Sequence, residues 1–205
     1  MPEKVFKNQR NVSKRARTFI AIPLPAELKD KIAALVARLE SQNRSVTWQD
    51  PQKTHITLMF LGHIAQERVD AAAKALKETA LTFSNFQLKT GNLDYLYTSD
   101  EEDNSALHIS VVDSEKQLWE LYKDLAKRLA AEGFYPPERL NPHITIGRIK
   151  KHRDRNIHTQ TLDTLVQDKS LVGKTIPVET LNMYERLQQR GGLVRYRLLR
   201  SYSLR

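Results

Sequence analysis

Two short segments, His55-Ile56-Thr57-Leu58 and His143-Ile144-Thr145-Ile146, repeat one pattern 88 positions apart, each inside a run of β-forming residues. Side chains along a strand alternate between its two faces. His55 and Thr57 therefore share one face while Ile56, Leu58 and Phe60 turn to the other, under a helix. The same partition sets His143 and Thr145 against Ile144 and Ile146. A chain of 205 residues has room for one domain or two small lobes of about 100 residues each. If each lobe contributes one of these strands and the lobes face each other, two imidazoles and two hydroxyls converge on one concave site.

That set of groups suits a phosphate ester. Displacement at phosphorus needs one group to take a proton from the attacking water and another to protonate the departing oxygen. Imidazole is the side chain that titrates near neutral pH. Hydroxyls donate hydrogen bonds to the non-bridging oxygens as charge builds on them.

The rest of the chain reads as an α+β alternation. A strand at 18–22 stops at Pro23-Leu24-Pro25, and a helix follows with Leu28, Ile32, Leu35, Val36 and Leu39 at helical spacing. Asp50-Pro51-Gln52 is a turn before a strand at 54–61, and a second helix spans about 66–81. Strands at 86–93 and 107–112 flank an acidic, turn-like stretch at 98–105. Ser114 is placed to cap a helix carrying Leu118, Leu121, Tyr122, Leu125 and Leu129, which Gly133 closes. A strand follows at 143–149, then a basic connection at 150–155, a short helix near 161–166, and strands at 177–186 and 194–201 joined by a Gly191-Gly192 turn. There is no glycine-rich nucleotide fingerprint, which argues against a doubly wound fold.

Composition narrows the chemistry further. With no cysteine, a thiol nucleophile, a disulfide framework and an iron–sulfur site are all excluded. The longest apolar runs fall far short of the ~20 residues a membrane helix needs, and residues 1–17 hold no apolar core for a signal peptide. The chain reads as soluble, untargeted and cytoplasmic, with no membrane partner and a monomer as the expectation. The net charge of +9 is uneven: residues 1–17 carry +5, residues 186–205 carry +6, and the middle carries −2. Basic ends around a near-neutral body favour a polyanionic partner. The arginines of 193–200 alternate with apolar residues and so form one face of a strand, whereas 1–16 reads as a basic, flexible extension.

At the two His-x-Thr strands the sequence resembles the 2H phosphoesterase superfamily and, within it, the LigT-like RNA 2′,3′-cyclic phosphodiesterases, also called 2′-5′ RNA ligases. The resemblance covers about residues 17–203. It is carried by Phe19-Ile20-Ala21-Ile22-Pro23-Leu24-Pro25, by Trp48 and Lys53-Thr54-His55-Ile56-Thr57-Leu58-Met59-Phe60-Leu61-Gly62, by Asn141-Pro142-His143-Ile144-Thr145-Ile146-Gly147-Arg148, and by Leu181-Asn182-Met183-Tyr184-Glu185-Arg186. It implies a single bilobal domain over 17–205, pseudo-twofold, with two antiparallel sheets facing a central cleft and helices outside. It also implies opening of RNA 2′,3′-cyclic phosphate ends to a 2′-phosphate without metal or cofactor, and in some members reversible 2′-5′ joining. The substrate partner is then an RNA or oligonucleotide with a 2′,3′-cyclic phosphate end. On this chain His143 would activate the water, His55 would protonate the leaving 3′ oxygen, and Thr57 and Thr145 would grip the phosphate. Arg148 matches an arginine that often follows the second motif, although strict alternation turns it away from His143 unless a bulge near Gly147 restores it.

Other readings stay open at this stage. His108, in Leu107-His108-Ile109-Ser110, looks like a degenerate third copy and is read as a structural or substrate-contacting residue. Phe60, Tyr184 and Tyr196 are candidates to stack a base, against the commoner role of sheet packing. Three strand histidines could ligate zinc, and a noncatalytic RNA- or nucleotide-binding module could use the same cleft.

Overall fold

The computed structural model describes residues 16–41, 43, 46–96, 106–149, 165–188 and 194–205. Within them the order is β1 (Ala16–Pro23), α1 (Ala26–Glu40), β2 (Val46–Trp48), β3 (His55–Ile64), α2 (Gln66–Thr82), β4 (Phe86–Leu96), β5 (Ala106–Val112), α3 (Gln117–Ala131), β6 (His143–Ile149), β7 (Thr175–Val178), β8 (Thr180–Gln188) and β9 (Val194–Ser203). The strands pair in the order β7-β4-β5-β6-β3-β1-β8-β9, with β2 added on β6, and the pairings are antiparallel.

The two expected sheets are joined into one curled sheet by a narrow seam. β3 and β6 meet through the single pair Ile56–Ile144, whereas β1 and β3 run together from Ala16 opposite Ile64 to Pro23 opposite His55. Ile56 and Ile144 are both fully buried and belong to a core cluster that draws from both halves of the sheet and all three helices. α1 buries the five residues its spacing marks, Leu28, Ile32, Leu35, Val36 and Leu39. α3 buries Leu118, Leu121, Tyr122, Leu125 and Leu129. Each such leucine contributes about 1.5–3 kcal/mol by leaving water. α2 and α3 are also tied by a polar cluster in which Asp124 accepts from Thr79 Oγ1 at 2.8 Å and pairs with Arg128 at 2.7 Å.

Two local readings of the sequence are corrected. Ser114 does not cap α3: the helix begins at Gln117 behind Lys116, which adopts a left-handed φ of 58°. The carboxylate of Asp113 instead accepts from the Trp119 N–H at 3.0 Å, placing a negative charge at the positive end of the helix. The run 177–186 is not one strand. It breaks at Glu179 into β7, which pairs β4 at one edge of the sheet, and β8, which pairs β1 in the other half. Pro177 lies in the edge strand, where its missing N–H costs no interior pairing.

Gly133 closes α3 as expected. With φ 74° it lets its own N–H reach Ala130 O at 2.9 Å and the Phe134 N–H reach Leu129 O at 2.9 Å, the paired bonds of a Schellman end. The expected extension at 1–16 lies outside the described residues except for Ala16, which opens β1. The turn at 98–105, the connection at 150–155, the Gly191-Gly192 turn and all but the end of the helix near 161–166 also lie outside them.

Candidate active site

The histidines stand at the first positions of β3 and β6, one residue before the seam. In the antiparallel register about Ile56–Ile144, His55 comes alongside Thr145 and Thr57 alongside His143. Each imidazole is held the same way. His55 Nδ1 lies 2.8 Å from the carbonyl of Lys53, and His143 Nδ1 lies 2.8 Å from that of Asn141. A carbonyl only accepts, so each Nδ1 carries the proton and donates it, and each Nε2 is left for chemistry. The backbone ahead of His55 is fixed by a short 3-10 turn, in which Asp50 Oδ1 accepts from the Gln52 N–H at 3.0 Å and Thr54 Oγ1 donates to Pro51 O at 2.6 Å.

Alternation alone fails just after each motif, at the same place in both. Between Ala21–Thr57 and Ile20–Met59 the β1–β3 register skips Leu58, and between His108–Thr145 and Leu107–Gly147 the β5–β6 register skips Ile146. Each skipped residue is the third after its histidine. Leu58 and Met59 are buried in succession, as are Ile146 and Gly147, and the following side chain is thereby returned to the histidine face. Arg148 thus joins Thr145, as a bulge near Gly147 requires. Phe60, expected to lie under a helix with Ile56 and Leu58, is instead 69% exposed on the other side. Gly147 is needed here because a Cβ would sit 2.5 Å from Val46 Cγ1, where β2 crosses close.

An open cleft of about 280 Å³ runs along this face, lined by His55, Thr57, Thr145, Phe60, Arg148, Arg17, Arg186, Gln49, Phe19 and Tyr196. His143 flanks it, with its ring edge-on to His108 at 5.2 Å between centroids. His55 lies on an aromatic bed, stacked on Phe19 at 5.0 Å and meeting Tyr196 edge-on at 5.4 Å. Burial in that bed is the main reason the His55 pKa falls below the ordinary imidazole value. The Lys53 carbonyl opposes the shift, and the charges of Lys29 and His143 add to it. The His143 contribution to the His55 shift places the two rings close enough to interact electrostatically.

The remaining candidates separate in space. His108 is buried, 4% exposed, beside Thr145 in the register, and burial lowers its pKa while its Nδ1 faces the Ala106 carbonyl. It underlies the site from the β5 side. Tyr184 stacks on Phe19 at 5.4 Å with its ring 6.4 Å from that of His55, its hydroxyl accepts from Asn182 Nδ2 at 2.8 Å, and burial raises its pKa. It supports the bed rather than lining the cleft. Among the described residues no three His, Asp or Glu side chains are arranged to hold a metal ion.

Sequence reasoning missed Phe19, Arg17, Arg186 and Gln49. The first three sit on strands whose alternation puts them on the His55 face; for Gln49, just beyond β2, no such pattern exists.

An antiparallel sheet folded about a seam, with one His-x-Thr strand from each half at its centre, defines the class of two-histidine phosphoesterases. The model of the LigT-like phosphoesterases matches residues 22–99 and 109–170, and the chain belongs to that family. A Thermotoga maritima protein named RNA 2′,3′-cyclic phosphodiesterase is 28% identical over 190 residues, covering 88% of this chain and 99% of its own. One of the same name from Methanothermobacter thermautotrophicus is 25% identical, covering 69% of this chain and 76% of its own. A crystal structure of E. coli LigT complexed with NADP+ superposes with a TM-score of 0.67 at 21% identity, covering 94% of this chain and 99% of that one, a likeness of fold.

Proposed function

We propose that the chain hydrolyses RNA 2′,3′-cyclic phosphate ends to a 2′-phosphate by acid–base catalysis between His55 and His143. The observation that carries this reading is the seam: two imidazoles, each with Nδ1–H tied to a carbonyl at 2.8 Å, stand on either side of two threonine hydroxyls. Neutral imidazole at one side takes a proton from water as the water oxygen attacks phosphorus. The bond from phosphorus to the 3′ oxygen breaks, and the imidazolium at the other side gives that oxygen a proton. Thr57 and Thr145 donate to the non-bridging oxygens, and Arg148 adds a charge-assisted fork. The names of the curated relatives support the RNA substrate. With a 5′-hydroxyl in place of water as the attacking group, the same forward steps break the bond to the 3′ oxygen and join the ends through a 2′-5′ bond. Their reversal returns the cyclic phosphate and the 5′-hydroxyl, so reversible ligation is part of this proposal.

The test is incubation with an RNA ending in a 2′,3′-cyclic phosphate, with chelator present and the product end identified. The expected product is the 2′-phosphate, at an undiminished rate. Binding without turnover would instead favour the noncatalytic RNA-binding module.

The pair also fixes a pH dependence. One imidazole must be neutral while the other is protonated, so kcat/KM is expected to follow a bell. Because burial lowers the His55 pKa, the acid limb of the free enzyme should fall below the ordinary value of about 6.5. This holds whichever ring is the acid, since a bell reads two ionisations and not their roles. A profile that rises monotonically to alkaline pH would contradict it.

A further inference from the structure

Beyond the reacting phosphate, the cleft carries an arrangement the hydrolysis itself does not need. Arg17 of β1 and Arg186 of β8 are direct cross-strand partners, and Tyr196 of β9 is the partner of Arg186. Directly paired strand residues share a face with Cβ atoms about 4.5–5.5 Å apart, and like charges so placed destabilise a sheet. Glu185, next to Arg186 in sequence but 1% exposed on the opposite face, pairs with Arg197, and Asp70 of α2 pairs with Arg200 at 2.9 Å. Neither Arg17 nor Arg186 has a carboxylate partner among the described residues, yet both open into the cleft that holds His55 and Thr57. An anion from outside resolves this repulsion.

The position of the pair identifies that anion. Thr57 lies opposite Ala21 on β1, and Arg17 is four residues further along that strand. At about 3.3 Å per residue the Arg17 backbone stands roughly 13 Å along β1 from the residue opposite Thr57. The pair is therefore rooted well away from the threonines that hold the reacting phosphate, in the direction a single strand would take on leaving it. Between them Tyr196 and Phe60 offer aromatic faces in the same cleft, and the Tyr196 ring lies 5.4 Å from that of His55. Aromatic steps between basic positions are how proteins hold single-stranded nucleic acid.

We infer that Arg17 and Arg186 form a second phosphate site for a backbone phosphodiester upstream of the cyclic end, so that the substrate is an oligonucleotide rather than a cyclic mononucleotide. This rests on the reading of the cleft as a cyclic phosphodiesterase site. Guanidinium groups suit the task because their planar fork meets two phosphate oxygens at once.

The experiment compares a trinucleotide ending in a 2′,3′-cyclic phosphate with a 2′,3′-cyclic mononucleotide, in the wild type and in R17Q/R186Q. The wild type is expected to favour the trinucleotide in kcat/KM by about ten- to hundredfold, the weight of charged hydrogen bonds. The double variant should bring that ratio close to one, mainly through KM for the trinucleotide. Its salt dependence should flatten by about 0.7 in log–log slope, the share of one single-strand phosphate contact. R17K/R186K, which keeps the charge and loses the fork, should retain the slope and recover only part of the preference. Equal ratios in wild type and R17Q/R186Q overturn the second site while leaving the hydrolytic reading intact. If the wild type opens neither substrate, the hydrolytic reading fails. Affinity for a trinucleotide bearing a 2′-phosphate, followed by fluorescence anisotropy, then decides the arginine pair: a tenfold loss in R17Q/R186Q supports it and equal affinity overturns it.

Discussion

Alanine in place of His55 or His143 is expected to lower kcat for opening a 2′,3′-cyclic phosphate by about 10²–10⁴-fold, the usual weight of a positioned proton donor or acceptor. KM should change far less, because the threonines and Arg148 continue to hold the phosphate. The two losses should not add: once one imidazole is gone the concerted proton transfers cannot occur, so H55A/H143A should be about as slow as the worse single variant. The roles of the rings can be separated with bis(p-nitrophenyl) phosphate, whose leaving phenolate is stable without a proton. The variant lacking the acid should regain most of its rate on that substrate, and the variant lacking the base should not. Full activity of either alanine variant on the cyclic phosphate would end the acid–base reading. Both side chains are partly accessible, so circular dichroism should show intact folds in these proteins.

The second large effect is on stability. Ile56→Ala is expected to cost about 2–5 kcal/mol in urea unfolding, the range for deleting a fully buried aliphatic side chain that cannot be replaced by collapse of its surroundings. Ile56 is 0% exposed and pairs across the seam with Ile144, also 0% exposed. Truncation there opens a void where the two halves of the sheet touch, between the residues that flank both histidines. A loss below about 1 kcal/mol would mean that the seam carries little of the packing that joins the halves.

Much of this architecture could be read from the sequence because it depends on local periodicity. The helical spacing of Leu28 to Leu39 and of Leu118 to Leu129 returned as the buried faces of α1 and α3. The two His-x-Thr segments declared both their strands and their shared face. What escaped depends on pairing between distant segments. A bulge is a mismatch of register between two strands, so nothing within 55–64 marks Leu58 as the extra residue, and Phe60 was assigned to the wrong side. The division of 177–186 between the two halves of the sheet is likewise set by partners, β4 for one part and β1 for the other. Arg17 and Arg186 were visible only as charge near the ends of the chain. Their meeting across two strands requires the fold.

The matching irregularities at Leu58 and Ile146 have a consequence for direction. Both halves of the molecule bring forward the residue five places after the histidine, but one half presents the flat hydrocarbon of Phe60 and the other the cation of Arg148. A centre with true twofold symmetry would present the same groups to a strand arriving from either end. Here the twin scaffold is given a front and a back, so under the proposed function an RNA strand is expected to have one sense in which to thread.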